Sequence, residues 1–259
     1  MTVRRAALLL APAVLAMTLS ACGGGQSGGL SSRAIAQERR RPPLRANAQP
    51  TSVIAAEIAL ARAAREEGQW LALANRATPG AQIAWNGAAM PAASWLAGRA
   101  SPATPDRWQA REAWASCDGS AVVVAGLGHD ATGNWSRFTR VWERQRDNDF
   151  RWSVTVWQPD PDLTRTRRED AAQRAADNAD DAIVVEALNM IRARVVPCTR
   201  PTGRETGPAA SGAQPGLARD GTLRWTPAPD IASGFTAWWQ GAEGWEPVHT
   251  QLLTAGDGA

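Results

Sequence analysis

Between Trp108 and Trp157 the apolar residues recur with a period of two. Trp108, Ala110, Glu112 and Trp114 alternate with Gln109, Arg111, Ala113 and Ala115. Phe138, Arg140, Trp142 and Arg144 alternate with Thr139, Val141 and Glu143, and Trp152, Val154 and Val156 share one side of the next run. Neighbouring side chains of a strand point to opposite faces, so this spacing predicts strands rather than helices. Ala121 to Ala125 adds an apolar strand between them. Asp118-Gly119, the loop from Gly128 to Gly133 and Asp147-Asn148-Asp149 supply the turns. Four consecutive antiparallel strands are therefore expected, closed by Pro159 and Pro161.

The preceding stretch has a helical period. Ile54, Ile58 and Ala61 share one face, with Val53, Leu60 and Ala64 nearby, while Glu57, Arg62, Arg65, Glu66 and Glu67 fall mostly on the other. Ser52 is a candidate N-cap and Gly68 a stop. A short helix over Gln69 to Arg76, a strand over Gln82 to Trp85, a turn at Asn86-Gly87 and a helical turn over Pro91 to Leu96 complete this half. The expected class is α+β, with N-terminal helices packed on a curved antiparallel sheet.

Beyond the strands, residues 163–181 are strongly charged and read as a solvated helix or linker. Val184, Ala187, Leu188, Ile191 and Val195 fit a helix face, but Met190 to Val196 fits a strand equally well. Residues 202–216 have loop composition. Leu223–Trp225 and Phe235–Trp239 read as strands of a C-terminal β-hairpin extension, expected to pack on the main domain. Asp220-Gly221-Thr222, Phe235-Thr236-Ala237-Trp238-Trp239 and Trp245 echo Asp118-Gly119-Ser120, Phe138-Thr139-Arg140-Val141-Trp142 and Trp152, with different spacings.

The other end of the chain speaks to location. Arg4 and Arg5 precede a short apolar stretch from Ala6 to Leu19, and small residues lead to Cys22, which is the grammar of a secretory signal. The stretch is short for a membrane span of roughly 20 residues. Leu19-Ser20-Ala21-Cys22 resembles the bacterial lipobox. That resemblance implies cleavage before Cys22, lipidation of Cys22, and membrane attachment through more than one acyl chain. Gly23 after the cysteine implies an outer-membrane destination facing the periplasm. The expected division is 1–21 signal peptide, 22–50 lipidated disordered tether, 51–160 main domain, 161–200 charged helix or linker and apolar segment, 201–216 loop, and 217–259 hairpin extension.

The chain lacks lysine, so all 28 basic residues are arginine. Loss of residues 1–21 leaves 26 basic against 25 acidic groups. That balance, with one arginine run at Arg39-Arg40-Arg41 beside the anchor, argues against nucleic-acid binding.

The order of elements resembles the nuclear-transport-factor-two-like superfamily in its SnoaL-like branch, the cystatin-like cone. The residues that carry this are Glu57–Trp70, Ala93–Arg99, Trp114–Ser120 and Phe138–Gln145, and the likeness spans residues 52–158. It implies a curved sheet wrapped around helices, and in related cones a His or Asp inside that moves protons. It is nearly silent on chemistry.

Cys117 and Cys198 are left in an exported domain and are expected to form a disulfide. With His129 and His249 the sole histidines, no zinc spacing exists, and no motif points to a metal or cofactor. Glu112, alternating with Trp108 and Trp114, is a candidate general base if it faces an aromatic interior, or else a partner for Arg140. His129 beside Asp130 is a second candidate, or a solvated loop residue. Trp95, Trp108, Trp114, Trp142 and Trp152, with Arg140, either line a pocket for an apolar ligand or fill the core. Three readings follow: an anchored binder of a small apolar ligand or envelope partner, an acid–base enzyme (isomerase, dehydratase or hydrolase), or a structural protein with Trp238-Trp239 as a contact surface.

Overall fold

The computed structural model describes residues 47–85, 87, 89–177, 190–198, 215–230, 234–241 and 243–254. All lie in the unit that begins at Pro43. The signal, Cys22, nearly all of the tether and the loop at residues 201–214 lie outside the described residues.

Helix α1 spans Pro50–Glu66 and α2 spans Gln69–Arg76. Strand β1 (Ala77–Trp85), the short β2 (Ala89–Pro91) and α3 (Ala92–Leu96) follow. Strands β3 (Arg107–Ala115), β4 (Ala121–His129), β5 (Trp135–Arg144) and β6 (Phe150–Pro159) form the expected antiparallel run. Helix α4 spans Pro161–Asp177 and β7 spans Arg192–Val195. The main sheet has the order β2-β1-β6-β5-β4-β3-β7. Two of its pairings are parallel, β1 with β6 and β3 with β7, so the sheet is mixed rather than purely antiparallel. Of the apolar stretch before Cys198, Val184, Ala187 and Leu188 lie outside the described residues, and Arg192–Val195 is a strand.

The C-terminal strands form a second sheet. Its members are β8 (Gly216–Leu217), β9 (Leu223–Trp225), β10 (Phe235–Gly241) and β11 (Gly244–Gln251), in the order β11-β10-β9-β8. The expected hairpin is thus half of a four-stranded antiparallel sheet, separate from the first. Three strands or more with one apolar face are what independent stability requires. Its buried Leu223, Trp225, Phe235 and Ala237 pack with Trp114, Val123, Val141, Val154 and Val156 of the main sheet. The helices cover the opposite face, where Val53, Leu60, Leu73, Val122, Val124, Phe138, Trp142 and Trp152 form the other core. The layers are helices, main sheet and second sheet.

Two bulges decide which residues face which core. In β3 the register slips between Ala110 and Glu112, leaving Arg111 as the extra residue. Ala110, Ala113 and Ala115 consequently face the helices, and Trp114 faces the second sheet. In β6 the slip leaves Ser153 extra, so Phe150 and Trp152 face the helices while Val154 and Val156 face away. An extra residue inverts the alternation beyond it. The expected common face of Trp108, Glu112 and Trp114, and that of Trp152, Val154 and Val156, are corrected accordingly.

Helix α1 is also rotated from its expected aspect. Its buried residues are Val53, Glu57, Leu60, Ala61 and Ala64, while Ile58 is 62% exposed. Ser52 lies inside the first turn and is exposed; Gln49 takes the cap position, with Pro50 opening the helix. The residues just before the helix are tied down, since the amides of Asn47 and Ala48 both donate to the Cys117 carbonyl.

Cys117 and Cys198 form the expected disulfide, with an S–S distance of 2.07 Å. Beside it the two Asp-Gly turns dock on each other. The Asp118 amide donates to Asp220 Oδ2 at 2.7 Å, the Cys117 amide to Thr222 Oγ1 at 3.0 Å, and the Arg219 amide to Ser120 Oγ at 2.9 Å. Gly119 and Gly221 sit at φ of 66° and 73°, which glycine adopts without steric cost. The echoed motif is a matched pair of turns that joins the two sheets at one corner.

Candidate functional site

The space between helices and sheet is filled by an ion pair and tryptophans. Glu57 from α1 and Arg140 from β5 are 2% and 0% exposed and pair through Oε1 and a terminal guanidinium nitrogen. The indoles of Trp108 and Trp142 donate to Glu57 Oε1 and Oε2, each at 2.7 Å. Arg140 Nε donates to Thr155 Oγ1 at 2.9 Å, and the Trp152 indole to the Leu73 carbonyl at 2.9 Å. A carboxylate with three donors and almost no exposure is spent on structure. Glu57 was legible as a polar residue on a helix. That it lies inside the fold was not, because its partner is 83 residues away.

A cavity of about 630 Å³ opens at the end of the sheet where β4 and β6 finish and β5 begins. Indole rings of Trp85, Trp135 and Trp157 form its walls. They continue inward as a chain of ring contacts: Trp85 to Trp157 at 5.6 Å, Trp85 to Trp95 at 5.5 Å, Trp157 to Phe138 at 5.2 Å and Trp157 to Trp108 at 6.0 Å. Trp157 can lie flat against β4 because Gly128 stands opposite; a Cβ there would come within 2.7 Å of its ring. The far wall is the start of α4. Asp160 caps it, accepting from the Leu163 amide at 2.8 Å, and Thr164 Oγ1 accepts from the Trp135 amide at 2.8 Å.

The polar groups in this cavity include Asp106, His129, Asp130 and Asp160. Asp106 is held by Gln69, whose Nε2 donates to Oδ2 at 2.8 Å. Burial raises the Asp106 pKa, and the nearby Asp130 charge adds to this, against the lowering effects of Gln69 and His129. His129 is half-buried at the end of β4, its ring tilted against that of Trp135 at 4.9 Å, with Nδ1 3.0 Å from the Asp130 carbonyl. Asp130 organises the β4–β5 loop. Burial favours its neutral form, but four hydrogen bonds from Thr132 and Asn134 outweigh that and hold its pKa low.

The remaining expected site residues are dispersed. Glu112 is on the outer face, in a cleft of about 720 Å³ that it shares with His249, Arg137 and Arg192. It does not meet Arg140, which is spent on Glu57 from the other side of the sheet. Trp114 stacks on His249 at 5.0 Å between the two sheets. Trp142, Trp152 and Arg140 are core, and Trp95 packs at its edge. Trp238 lies beside Arg224, and Trp239 packs against the inter-sheet core; both are half-buried. The cavity tryptophans Trp85, Trp135 and Trp157 were not singled out by sequence. All three stand at strand ends, Trp85 and Trp157 on adjacent strands, and strand ends meeting at one rim were the signal available.

His249 in the outer cleft is a poor base. Gln251 Nε2 donates to the Arg137 carbonyl at 3.3 Å, which turns its Oε1 toward the Thr139 hydroxyl, 2.5 Å away. The one hydroxyl proton is thereby used, so His249 Nε2, 2.7 Å from Thr139 Oγ1, carries the proton of the neutral ring. Burial lowers its pKa to about 4.

Among the described residues no group of three or more His, Cys, Asp or Glu is placed to hold a metal ion, and no helix is long and apolar enough to cross a membrane. No protein-family model matches the chain, and no curated protein matches it. Among solved structures it is similar to a putative ketosteroid isomerase from Shewanella frigidimarina NCIMB 400, at 13% identity and a TM-score of 0.27, over 39% of this chain and 90% of that one.

Proposed function

We propose that this is an exported lipoprotein, attached through Cys22 to the outer membrane on its periplasmic side, whose domain binds a small ligand with an apolar body in the tryptophan-walled cavity. The observation that carries the reading is the meeting of Trp85, Trp135 and Trp157 around about 630 Å³ of space while the interior behind them is packed. Pockets of this size, mostly apolar with a few polar groups, suit a small organic molecule. The Cys117–Cys198 disulfide accords with export. The lipobox residues support the anchor. The test is titration of the full chain with the uncharged dye Nile red. Saturable binding that Trp157→Ala weakens by about tenfold, roughly 1.4 kcal/mol, is expected. Binding that is absent, or indifferent to this substitution in a folded variant, overturns the reading.

A second reading, an acid–base enzyme, is favoured by one observation: Asp106 has a raised pKa and sits in the same cavity as His129. A carboxylate poised this way serves as a general base. Turnover of a bound ligand that Asp106→Asn removes, with binding retained, selects the enzyme. Binding without turnover selects the carrier.

A further inference from the structure

A groove of about 990 Å³ runs between α4 and β3. Its charged wall is Arg65 from α1, Arg107 and Arg111 from β3, and Arg167, Arg168 and Arg174 from α4. No carboxylate among the described residues lines it. Five described arginines outside the groove meet acids: Arg62 with Glu66, Arg76 with Asp149, Arg137 with Asp160, Arg140 with Glu57 and Arg165 with Asp162; others, such as Arg224 against Trp238 and Trp245, do not. In the groove Arg167 and Arg168 have partners of another kind. Arg168 donates to the amide oxygen of Asn134 at 3.0 Å, and Arg167 lies 5.1 Å from the Trp135 ring centre.

Two of these guanidiniums are costly as they stand. Arg111 Nε and Arg167 Nε are buried and have no acceptor. Each leaves a desolvated donor unmatched. They also oppose each other. Burial, and then the charge of Arg167, lower the Arg111 pKa. An oxyanion in the groove cancels the repulsion and accepts from the guanidinium ends that line it.

The groove adjoins the tryptophan cavity: His129, Trp135 and Arg168 line both. We infer that the two form one site for an amphipathic phosphate, whose head is held by Arg111 and Arg167 while its apolar body lies against Trp85, Trp135 and Trp157. This rests on the ligand-binding reading above and names the ligand class. A phosphate group is favoured over a carboxylate because its larger negative charge and three acceptor oxygens suit two arginine forks from different elements better. Arg111 is placed to take part by the β3 bulge, where it is the residue without a ladder partner. Bulges re-aim side chains in this way.

The experiment is displacement of Nile red from the full chain, at fixed ionic strength, by monomeric dodecyl phosphate and by dodecanol. Dodecyl phosphate is expected to compete about tenfold or more better than dodecanol, as charge-assisted bonds of this kind provide. In the double variant Arg111→Gln/Arg167→Gln, checked for a cooperative unfolding transition, that advantage falls to near unity. Displacement by phosphatidic-acid vesicles alone keeps the site and assigns the head to a membrane lipid. If Nile red binds but neither phosphate displaces it better than dodecanol, the groove is a solvated cationic face and the inference fails while the ligand reading stands. If Nile red does not bind, the ligand reading fails, and the groove is judged by inorganic phosphate alone. A rise in Tm over matched chloride that the double variant abolishes retains the phosphate site, and no such rise ends it.

Discussion

Glu57 and Arg140, 83 residues apart in sequence, form an ion pair that is almost wholly removed from solvent between α1 and the main sheet. Trp108 and Trp142 complete the carboxylate's hydrogen bonds, so the pair acts as a polar keystone in an otherwise aromatic core. Burying both charges carries a large desolvation cost that their attraction must offset, so the pair is weak evidence of net stability. Breaking it is another matter.

Arg140→Met leaves the Glu57 carboxylate buried without its counter-charge. The expected cost is about 3–5 kcal/mol, read as a lower urea midpoint. Glu57→Met combined with Arg140→Met is expected to recover part of that loss, since the Trp108 and Trp142 indoles then lack their acceptor. A single variant that unfolds at the wild-type midpoint refutes the account.

The His249 ring ties stability to pH. Its pKa is about 4 in the fold against an ordinary 6.5. At pH 5 the unfolded chain therefore binds a proton that the folded chain rejects. Stability from the neutral ring is fully present above pH 6.5 and is lost as pH falls toward 4. The expected loss is up to about 3 kcal/mol, in excess of that shown by His249→Gln. Superimposable pH profiles for the two proteins refute it.

Reduction of the Cys117–Cys198 bond opens a loop of sequence separation 81. The chain-entropy model gives roughly 4 kcal/mol for a loop of that length. Thermal unfolding of Cys117→Ala/Cys198→Ala is expected to fall by that order. Thiol titration of the denatured, unreduced protein is expected to find neither cysteine free.

Gly126 on β4 faces the helices. A Cβ there would stand 2.2 Å from the Gln109 carbonyl oxygen and 2.5 Å from the Phe138 ring. Backbone on one side and a packed ring on the other leave no room to relax, so Gly126→Ala is expected to destabilise by about 1–3 kcal/mol. The same substitution at Gly133, where nothing lies within 4 Å but φ is +81°, meets backbone strain alone and is expected to cost about 1 kcal/mol. Equal midpoints for Gly126→Ala and the parent protein would falsify the packing argument.

Much of the secondary structure was legible. The helix over Gln69–Arg76, the four strands from Arg107 to Pro159 and the turns between them follow from local period and turn chemistry. The disulfide partner followed from compartment and count. The site was far less legible. Glu112 alternates with Trp108 in the sequence, yet the two face opposite sides of the sheet, because Arg111 is extra. Trp152 and Val154 part in the same way at Ser153.

Local spacing by itself determined which segments are strands and helices, where they turn, and which cysteines meet, since each depends on neighbours in the chain or on a count. The tertiary structure decided which face each residue takes, that Glu57 is inside, that a second four-stranded sheet covers the outer face, and that strand ends bring Trp85, Trp135 and Trp157 together. A period of two assigns faces only while strands pair residue for residue. A bulge is chosen by the fit to a partner strand, and a buried charge by a counter-charge far along the chain, and neither is written in local spacing.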